Sequence, residues 1–270
     1  MDLPGAKKGD YLTDRLTEEG LKIIETHARR KKPFFLYQSY HSVHTPIQGR
    51  PDYVRAQQQR AAADGLKFNA KYAAMIQSLD EGVGRIVAKL ETLGISDNTA
   101  LIFFSDNGGF SHCRGKKNNI TDNSPLRRGK GYCYEGGHRE PCIIFYPPLV
   151  KAGGVCGTPI ISTDFYPTIL ELGGAAPLQE QHVDGLSILP LLKDPAATLA
   201  RTGLYWHYPH NSPQGGKPSG AIRAGDWKLI EWFGDGRSEL YYLKDDIGER
   251  KELSAAHPEK AAQLRARLRA

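Results

Sequence analysis

The stretch that most constrains this chain runs from about residue 69 to Gly109. Tyr72, Ile76, Leu79, Val83, Ile86, Val87 and Leu90 recur at steps of three and four, which predicts a helix over about residues 69 to 93. Gly94 stands where a left-handed cap ends such a helix. After the turn Ser96-Asp97-Asn98, the run Ala100-Leu101-Ile102-Phe103-Phe104 is apolar without polar alternation, the pattern of a buried strand. It stops abruptly at Ser105-Asp106-Asn107-Gly108-Gly109. Helix, short loop, apolar strand, then acid and glycine is the rhythm of an α/β sheet. Ligand sites in such sheets collect beyond the C-terminal ends of strands.

The flanks extend this reading. Thr13 or Asp14 can cap a helix through Leu16, Leu21, Ile23, Ile24 and His27. Phe34-Phe35-Leu36-Tyr37 is a short buried-strand candidate that runs into Tyr40-His41-Ser42-Val43-His44-Thr45-Pro46. Residues 110 to 140 hold few large apolar side chains and read as a long loop, a length that usually serves function or motion. Cys142 to Tyr146 is a second buried strand, and a helix spans about Thr163 to Leu172 before Gly173-Gly174. From about residue 200 the texture changes to short aromatic strands at 203–208, 227–232 and 240–243, followed by a helix over about 258–268. The expected layout is an α/β domain over 1–198 and a small antiparallel sheet with a terminal helix over 199–270.

Bulk properties narrow the function classes. The 270 residues are 40% hydrophobic and 24% charged, values of a globular chain rather than a disordered or fibrous one. The net charge of +6 is compatible with anionic substrates. Basic runs such as Arg29-Arg30-Lys31-Lys32 and Lys116-Lys117 are scattered, without the interleaved aromatics of a nucleic-acid face. Cys113, Cys133, Cys142 and Cys156 form no Cys-x-x-Cys pair, which argues against a structural zinc site and leaves disulfide pairing open. No apolar run reaches membrane-spanning length, and the first ten residues lack a signal-peptide core.

Single motifs are modest here. Asp106 and Asn107 offer a carboxylate and an amide oxygen to Ca²⁺ or Mg²⁺, although Asp-Asn-Gly-Gly alone reads first as a turn. Lys130, between Gly129 and Gly131, could reach a tetrahedral oxyanion as a point charge, or be a solvated loop lysine. His41 and His44 share one short loop and suit acid/base or ligand roles. Glu135 and Arg139, around Gly136-Gly137, read as partners that fold the long loop back before the second strand.

Their joint order is specific. Tyr11-Leu12-Thr13-Asp14, Phe34 to Tyr37 leading to His44-Thr45-Pro46, Ser78-Leu79-Asp80-Glu81-Gly82-Val83-Gly84 and Phe104 to Gly109 come first. Leu126-Arg127-Arg128-Gly129-Lys130-Gly131, Tyr134 to Pro141, Thr163-Asp164-Phe165-Tyr166-Pro167-Thr168 and Asp184-Gly185 follow. With these blocks the chain resembles the sulfatase family of the alkaline-phosphatase-like superfamily over nearly its full length. The resemblance implies an incomplete sheet flanked by helices and hydrolysis of sulfuric esters. It also implies Asp106 and Asn107 as ligands of an active-site calcium, Lys130 on the sulfate, and His44 near the ester oxygen. His207 and His210, in Trp206-His207-Tyr208-Pro209-His210, are expected to face a sulfated carbohydrate, where polar aromatics can stack on sugar rings.

The family's formylglycine arises from Cys-x-Pro-x-Arg, and no cysteine here has that context. The early acidic pair and the Gly-Lys-Trp-His block of the family are also absent. The expectation is therefore a truncated sulfatase, inactive alone and exposing apolar surface, from a parent of exported type. A non-catalytic binder of anionic glycans and a phosphoesterase of the same superfamily are the alternatives. The oligomeric state is not legible.

Overall fold

The computed structural model describes residues 5–111, 120–178, 180–181 and 184–270. Cys113 and the Lys116-Lys117 run lie outside the described residues. Two compact units divide the chain, residues 1–101 and 102–270.

In the first unit, helices α1 (Leu12–Arg29) and α2 (Pro51–Asp64) each pack on α3 (Ala70–Thr92). Gly94 has φ 65°, as its cap position predicts, and at the other end of α3 Asn69 Oδ1 accepts from Tyr72 N at 3.1 Å. Its buried face is narrower than the periodicity suggests. Tyr72, Met75 and Leu90 are buried, while Ile76 and Val87 are exposed. Helix α1 starts earlier than expected, with Tyr11 at the cap, which puts Thr13 and Asp14 inside it. Thr13 is buried 2.7 Å from Ser42 Oγ, and Asp14 accepts from Arg50 at 3.2 Å. A Cβ on Gly82 would meet Thr17 Oγ1 at 2.7 Å, so the glycine lets α3 approach α1 at that point.

The expected strand at Phe34–Tyr37 is not a strand. The segment is extended, but it joins no ladder among the described residues, and Phe35 and Tyr37 are 69% and 81% exposed. Alternate residues turn back instead: Gln38 Nε2 donates to Leu16 O at 3.1 Å, and Tyr40 Oη lies 2.9 Å from Thr17 Oγ1.

In the second unit, β1 (Leu101–Phe104) pairs with β2 (Cys142–Phe145). Both were expected to be buried. The β1 residues are half-buried, and on β2 Ile143 and Phe145 are exposed, since nothing described covers that face. The expected apolar exposure is thus observed. The single turn α4 (Glu135–His138) precedes β2, helix α5 (Phe165–Leu172) follows a 3₁₀ turn at Ser162–Asp164, and the short α6 (Leu189–Lys193) packs nearby. Asp164 is fully buried at this junction, where it accepts from Ile161 N and Leu186 N, both at 2.9 Å, and from Arg201 Nη2 at 2.5 Å. The Thr163-Asp164 and Asp184-Gly185 blocks thereby meet in a structural knot, where a Cβ on Gly185 would lie 2.1 Å from Thr163 O.

The antiparallel sheet has the order β3 (Leu204–Tyr208), β4 (Ser219–Ala224), β5 (Trp227–Trp232), β6 (Ser238–Tyr242). One face buries Ile222, Leu229 and Leu240 under Ala261 and Leu264 of α7 (Pro258–Arg269). The other buries Ala221, Ile230, Trp232 and Tyr241 against Cys133 and Tyr134. The sheet beyond residue 198 therefore shares a core with the loop that precedes β2. No helix among the described residues is long and apolar enough to cross a membrane.

Leu264 is 1% exposed between α7 and the sheet, so Leu264→Ala should cost ~2–5 kcal/mol through lost burial and the cavity left behind. Urea unfolding followed by far-UV circular dichroism measures it; a loss below about 1 kcal/mol would mean that α7 does not pack as described.

Candidate functional site: a glycine-knitted loop at the end of β1

Asp106 and Asn107 follow β1 directly, and backbone contacts hold them against two later segments. Gly108 N donates to Gly137 O at 3.1 Å, Lys130 N to Gly109 O at 3.2 Å, and Gly136 N to Arg127 O at 3.0 Å. Chains this close leave no room for side chains. A Cβ on Gly108 would lie 1.8 Å from Gly136 O, on Gly129 2.3 Å from Gly109 O, and on Gly137 2.0 Å from Tyr132 O. Asn123 completes the knot, its Nδ2 donating to Gly109 O and Arg128 O, both at 3.0 Å. The glycines that looked like turn formers are points of backbone contact.

Asp106 is exposed, and its carboxylate makes no hydrogen bond or ion pair among the described residues. Asn107 donates through Nδ2 to Gly108 O at 3.2 Å, which leaves Oδ1 able to face outward as a ligand. Glu140 adds a second acid. Its Oε1 is buried without a hydrogen-bond partner, and its carboxyl is pushed up to about 8, first by burial and then by the charge of Asp106.

Lys130 is half-buried, and no hydrogen bond or ion pair engages its ammonium among the described residues. On its far side Gly131 meets the 212–216 loop: a Cβ on Gly131 would lie 2.1 Å from Ser212 Oγ, and Tyr132 Oη donates to Gln214 O at 3.0 Å. His210 enters this loop from Tyr208, their rings 4.2 Å apart. Asp106, Asn107, Lys130 and the His210 segment thus share one backbone assembly. His207 does not face it. Trp206 and Tyr208 pack toward Cys133 and Tyr134, so alternation turns His207 to the α7 face of β3, its ring 5.4 Å from Phe233. His44 belongs to the first unit. It is exposed, and Nδ1 lies 2.9 Å from Thr45 O, a contact in which Nδ1–H donates to the carbonyl and which leaves Nε2 for other partners.

Behind the loop lies a network of buried charge. Lys228 Nζ donates to Glu135 Oε1 at 2.9 Å and pairs with Glu249 Oε1 at 2.8 Å, with all three side chains at most 1% exposed. Burial alone would raise the Glu135 carboxyl, but Lys228, His138 and Arg223 together hold it below its usual value. Burial dominates at Glu249 and raises it. Beside this cluster Glu239 accepts from Tyr134 Oη at 2.7 Å, Tyr241 Oη at 2.8 Å, Trp232 Nε1 at 3.1 Å and Arg237 Nη1 at 2.8 Å. The sequence reading found Glu135 and Arg139, which are 3.4 Å apart, but missed Lys228, Glu239 and Glu249. The one signal was the charge of Lys228 at a strand position between tryptophans, in Trp227-Lys228-Leu229-Ile230-Glu231-Trp232.

The segment after β1 thus carries an exposed carboxylate, and the loop knitted to it carries an unengaged lysine. Comparison with known proteins supplies the family. The family model described as Sulfatase matches residues 2–175, and the one described as N-sulphoglucosamine sulphohydrolase, C-terminal, matches residues 128–270. This chain belongs to the sulfatase family. It is 36% identical to a sulfatase of Formosa agariphila over 92% of this chain and 47% of that protein. With the N-acetylgalactosamine-6-sulfatase of Mus musculus it shares 33% identity over 67% of this chain and 32% of that one. The crystal structure of Ps i-CgsB in complex with k-i-k-neocarrahexaose superposes with a TM-score of 0.80 at 30% identity, covering 96% of this chain and 54% of that one. The phosphonate monoester hydrolase of Silicibacter pomeroyi, with a TM-score of 0.63 at 21% identity, shares the fold. The chain spans a third to a half of the length of these two curated relatives.

Two expectations follow from the geometry. Gly108→Ala should destabilise the protein by at least ~1–3 kcal/mol through overpacking, whereas Gly84→Ala, on an open face of α3, should stabilise it by ~0.5–1 kcal/mol. Thermal melts of the two variants check the contrast, and equal effects would rule out the knot. His138, stacked 4.1 Å from Trp206, is pushed down to about 3 by burial and then by Lys228. A histidine depressed on folding contributes stability above its unfolded pKa near 6.5, and that contribution is lost as pH falls toward 3. Relative to His138→Gln, the native protein should therefore weaken by up to ~1.4 kcal/mol per pH unit below about 6.5. Urea titrations at pH 7 and pH 5 would show parallel changes in the two proteins if the ring stays solvated.

Proposed function

We propose that this chain forms part of a sulfuric ester hydrolase acting on sulfated carbohydrate, and that Lys130 holds the sulfate. The observation that carries this reading is the tie between Lys130 N and Gly109 O, which holds the Lys130 backbone against the segment that follows Asp106 and Asn107. The carbohydrate ligand in the Ps i-CgsB complex and the name of the mouse relative support the substrate class.

Lys130 serves as a compact charge on sulfate oxygens, worth most where the substrate displaces water. Asp106 and Asn107 are the proposed ligands of a divalent cation, calcium by resemblance. The uncompensated Asp106 carboxylate and the orphaned Glu140 Oε1 beside it fit a cation, although two oxygens supply only part of the six or more that Ca²⁺ takes. Among the described residues, no group of three or more His, Cys, Asp or Glu could hold a metal alone. Bound there, the ion would offset charge building on the sulfate oxygens.

His44, by resemblance, hydrogen-bonds the ester oxygen or protonates the leaving alcohol. His210 is proposed as a sugar contact on the loop that abuts Gly131. His207 is kept in that role only if the sugar reaches the α7 face. A formylglycine does not fit these residues: Cys133, Cys142 and Cys156 lack the Cys-x-Pro-x-Arg context, and Cys133 is buried 3.4 Å from Ser219 Oγ.

Isothermal titration of the chain with a sulfated carrageenan oligosaccharide, with and without calcium, tests the reading. Binding should weaken at least tenfold in Lys130→Ala, about 1.4 kcal/mol. Asp106→Asn should abolish the calcium dependence. Equal binding of the unsulfated sugar, or none by the native chain, would sink the proposal. Turnover of an aryl sulfate by this chain alone is expected to be absent.

A further inference from the structure

We propose that Glu249 and Lys228 are positioning residues for Lys130: they clamp both ends of the loop that presents it to the antiparallel sheet. The importance given to Lys130 rests on the sulfatase reading above. The clamp itself rests on geometry alone.

The Lys130 ammonium is engaged by nothing among the described residues, so its place depends on its backbone. That backbone is unusual, with Arg128 at φ 64° and Gly131 at φ 87° flanking the lysine. Residues 127–136 form a closed loop whose neck is the hydrogen bond from Gly136 N to Arg127 O. Both sides of the neck are tied to Glu249. Arg127 Nη1 donates to the Glu249 carbonyl at 2.7 Å, and Glu135 N donates to the Glu249 carboxylate at 2.7 Å. Glu249 adopts φ 52°, a left-handed conformation that aims its two groups at the two strands of the neck.

This arrangement puts two carboxylates, Glu135 and Glu249, in one buried site. Lys228, fully buried on β5 opposite Arg223 and Tyr241, lies within 2.9 Å of both. The other cations near Glu135 are farther off, Arg139 at 3.4 Å and Arg223 at 3.9 Å. Without the lysine charge one carboxylate takes up a proton or the neck opens toward solvent, and either change weakens the hold of the Glu249 carboxylate on Glu135 N. Opening the neck releases the positive-φ turn that sets the direction of Lys130.

Amide hydrogen exchange on the purified chain tests this without any substrate, so a failure of sulfate binding and a failure of the clamp are separate results. Lys228→Met, close in volume but uncharged, should raise exchange across residues 127–138 at least tenfold. Lys228→Arg, larger but charged, should raise it less than threefold. Leu264→Ala, on the opposite face of the sheet, should loosen α7 and leave 127–138 within threefold of native. A role in filling space reverses the order of Met and Arg, and that order would overturn the proposal, as would unchanged exchange in Lys228→Met. Should Lys228→Met not fold, Glu249→Ala, which removes the acceptor of Glu135 N and leaves Lys228 paired with Glu135, is measured instead. The same local rise is expected there, and uniform exchange over residues 102–270 counts against the clamp.

Discussion

The second unit depends on one buried lysine. Lys228 sits in the middle of a four-stranded sheet with no exposure to solvent, where an unpaired ammonium would be untenable. It is retained because Glu135 and Glu249 bring two carboxylates to it from the loop before β2 and from the turn after β6. Buried ion pairs are seldom a net source of stability against an apolar replacement, but loss of one member typically costs ~3–5 kcal/mol. Such a contact is poor glue and a good registration mark. Apolar packing of Tyr134 on Trp232 and Tyr241 would tolerate several orientations of the loop; the ion cluster and the four donors on Glu239 admit one.

With the loop registered on the sheet, its other edge can be knitted to the end of β1. Here the constraint changes from charge to volume. Gly108, Gly129, Gly136 and Gly137 lie where neighbouring backbone atoms would meet any Cβ at 2.4 Å or less. Side-chain contacts would hold Asp106 and Lys130 through rotatable bonds. Direct backbone contact holds their Cα atoms through peptide planes.

What was legible in the sequence had local causes. Helix α3 announced itself by its apolar period and Gly94, the end of β1 by the change from Phe104 to Asp106, and α7 by Pro258 at its first turn. Failures came where distant chain decides. Phe34–Tyr37 has the composition of a strand, but a strand exists only with a partner, and the described residues give it none. Ser219–Ala224 has a glycine and no apolar run, yet it is a central strand because β3 and β5 pair on both sides. Asp106, Asn107 and Lys130 stand out through the ordered family blocks, not through local pattern. Lys228 and Glu249 were missed because each looks like surface charge until the partner more than 90 residues away is known.

The distribution of satisfied charge then marks the site. Around the loop, charged groups are consistently engaged: Arg127 by Tyr241 and Glu249, Glu135 by Lys228, Glu239 by four donors. Among the described residues, Asp106 and Lys130, with the orphaned Glu140 Oε1, stand outside this pattern, although the same backbone knot ties the segments of Asp106 and Lys130 together. Had folding stability alone shaped the region, a pair would be the economical solution, since opposite charges on neighbouring segments gain by joining. Held apart and rigid, they instead leave a place where a cation can answer Asp106 and an anion can answer Lys130. A sulfate ester bound beside a divalent ion meets both demands with one ligand set, and this argues for the two charges as one site more strongly than either residue does alone.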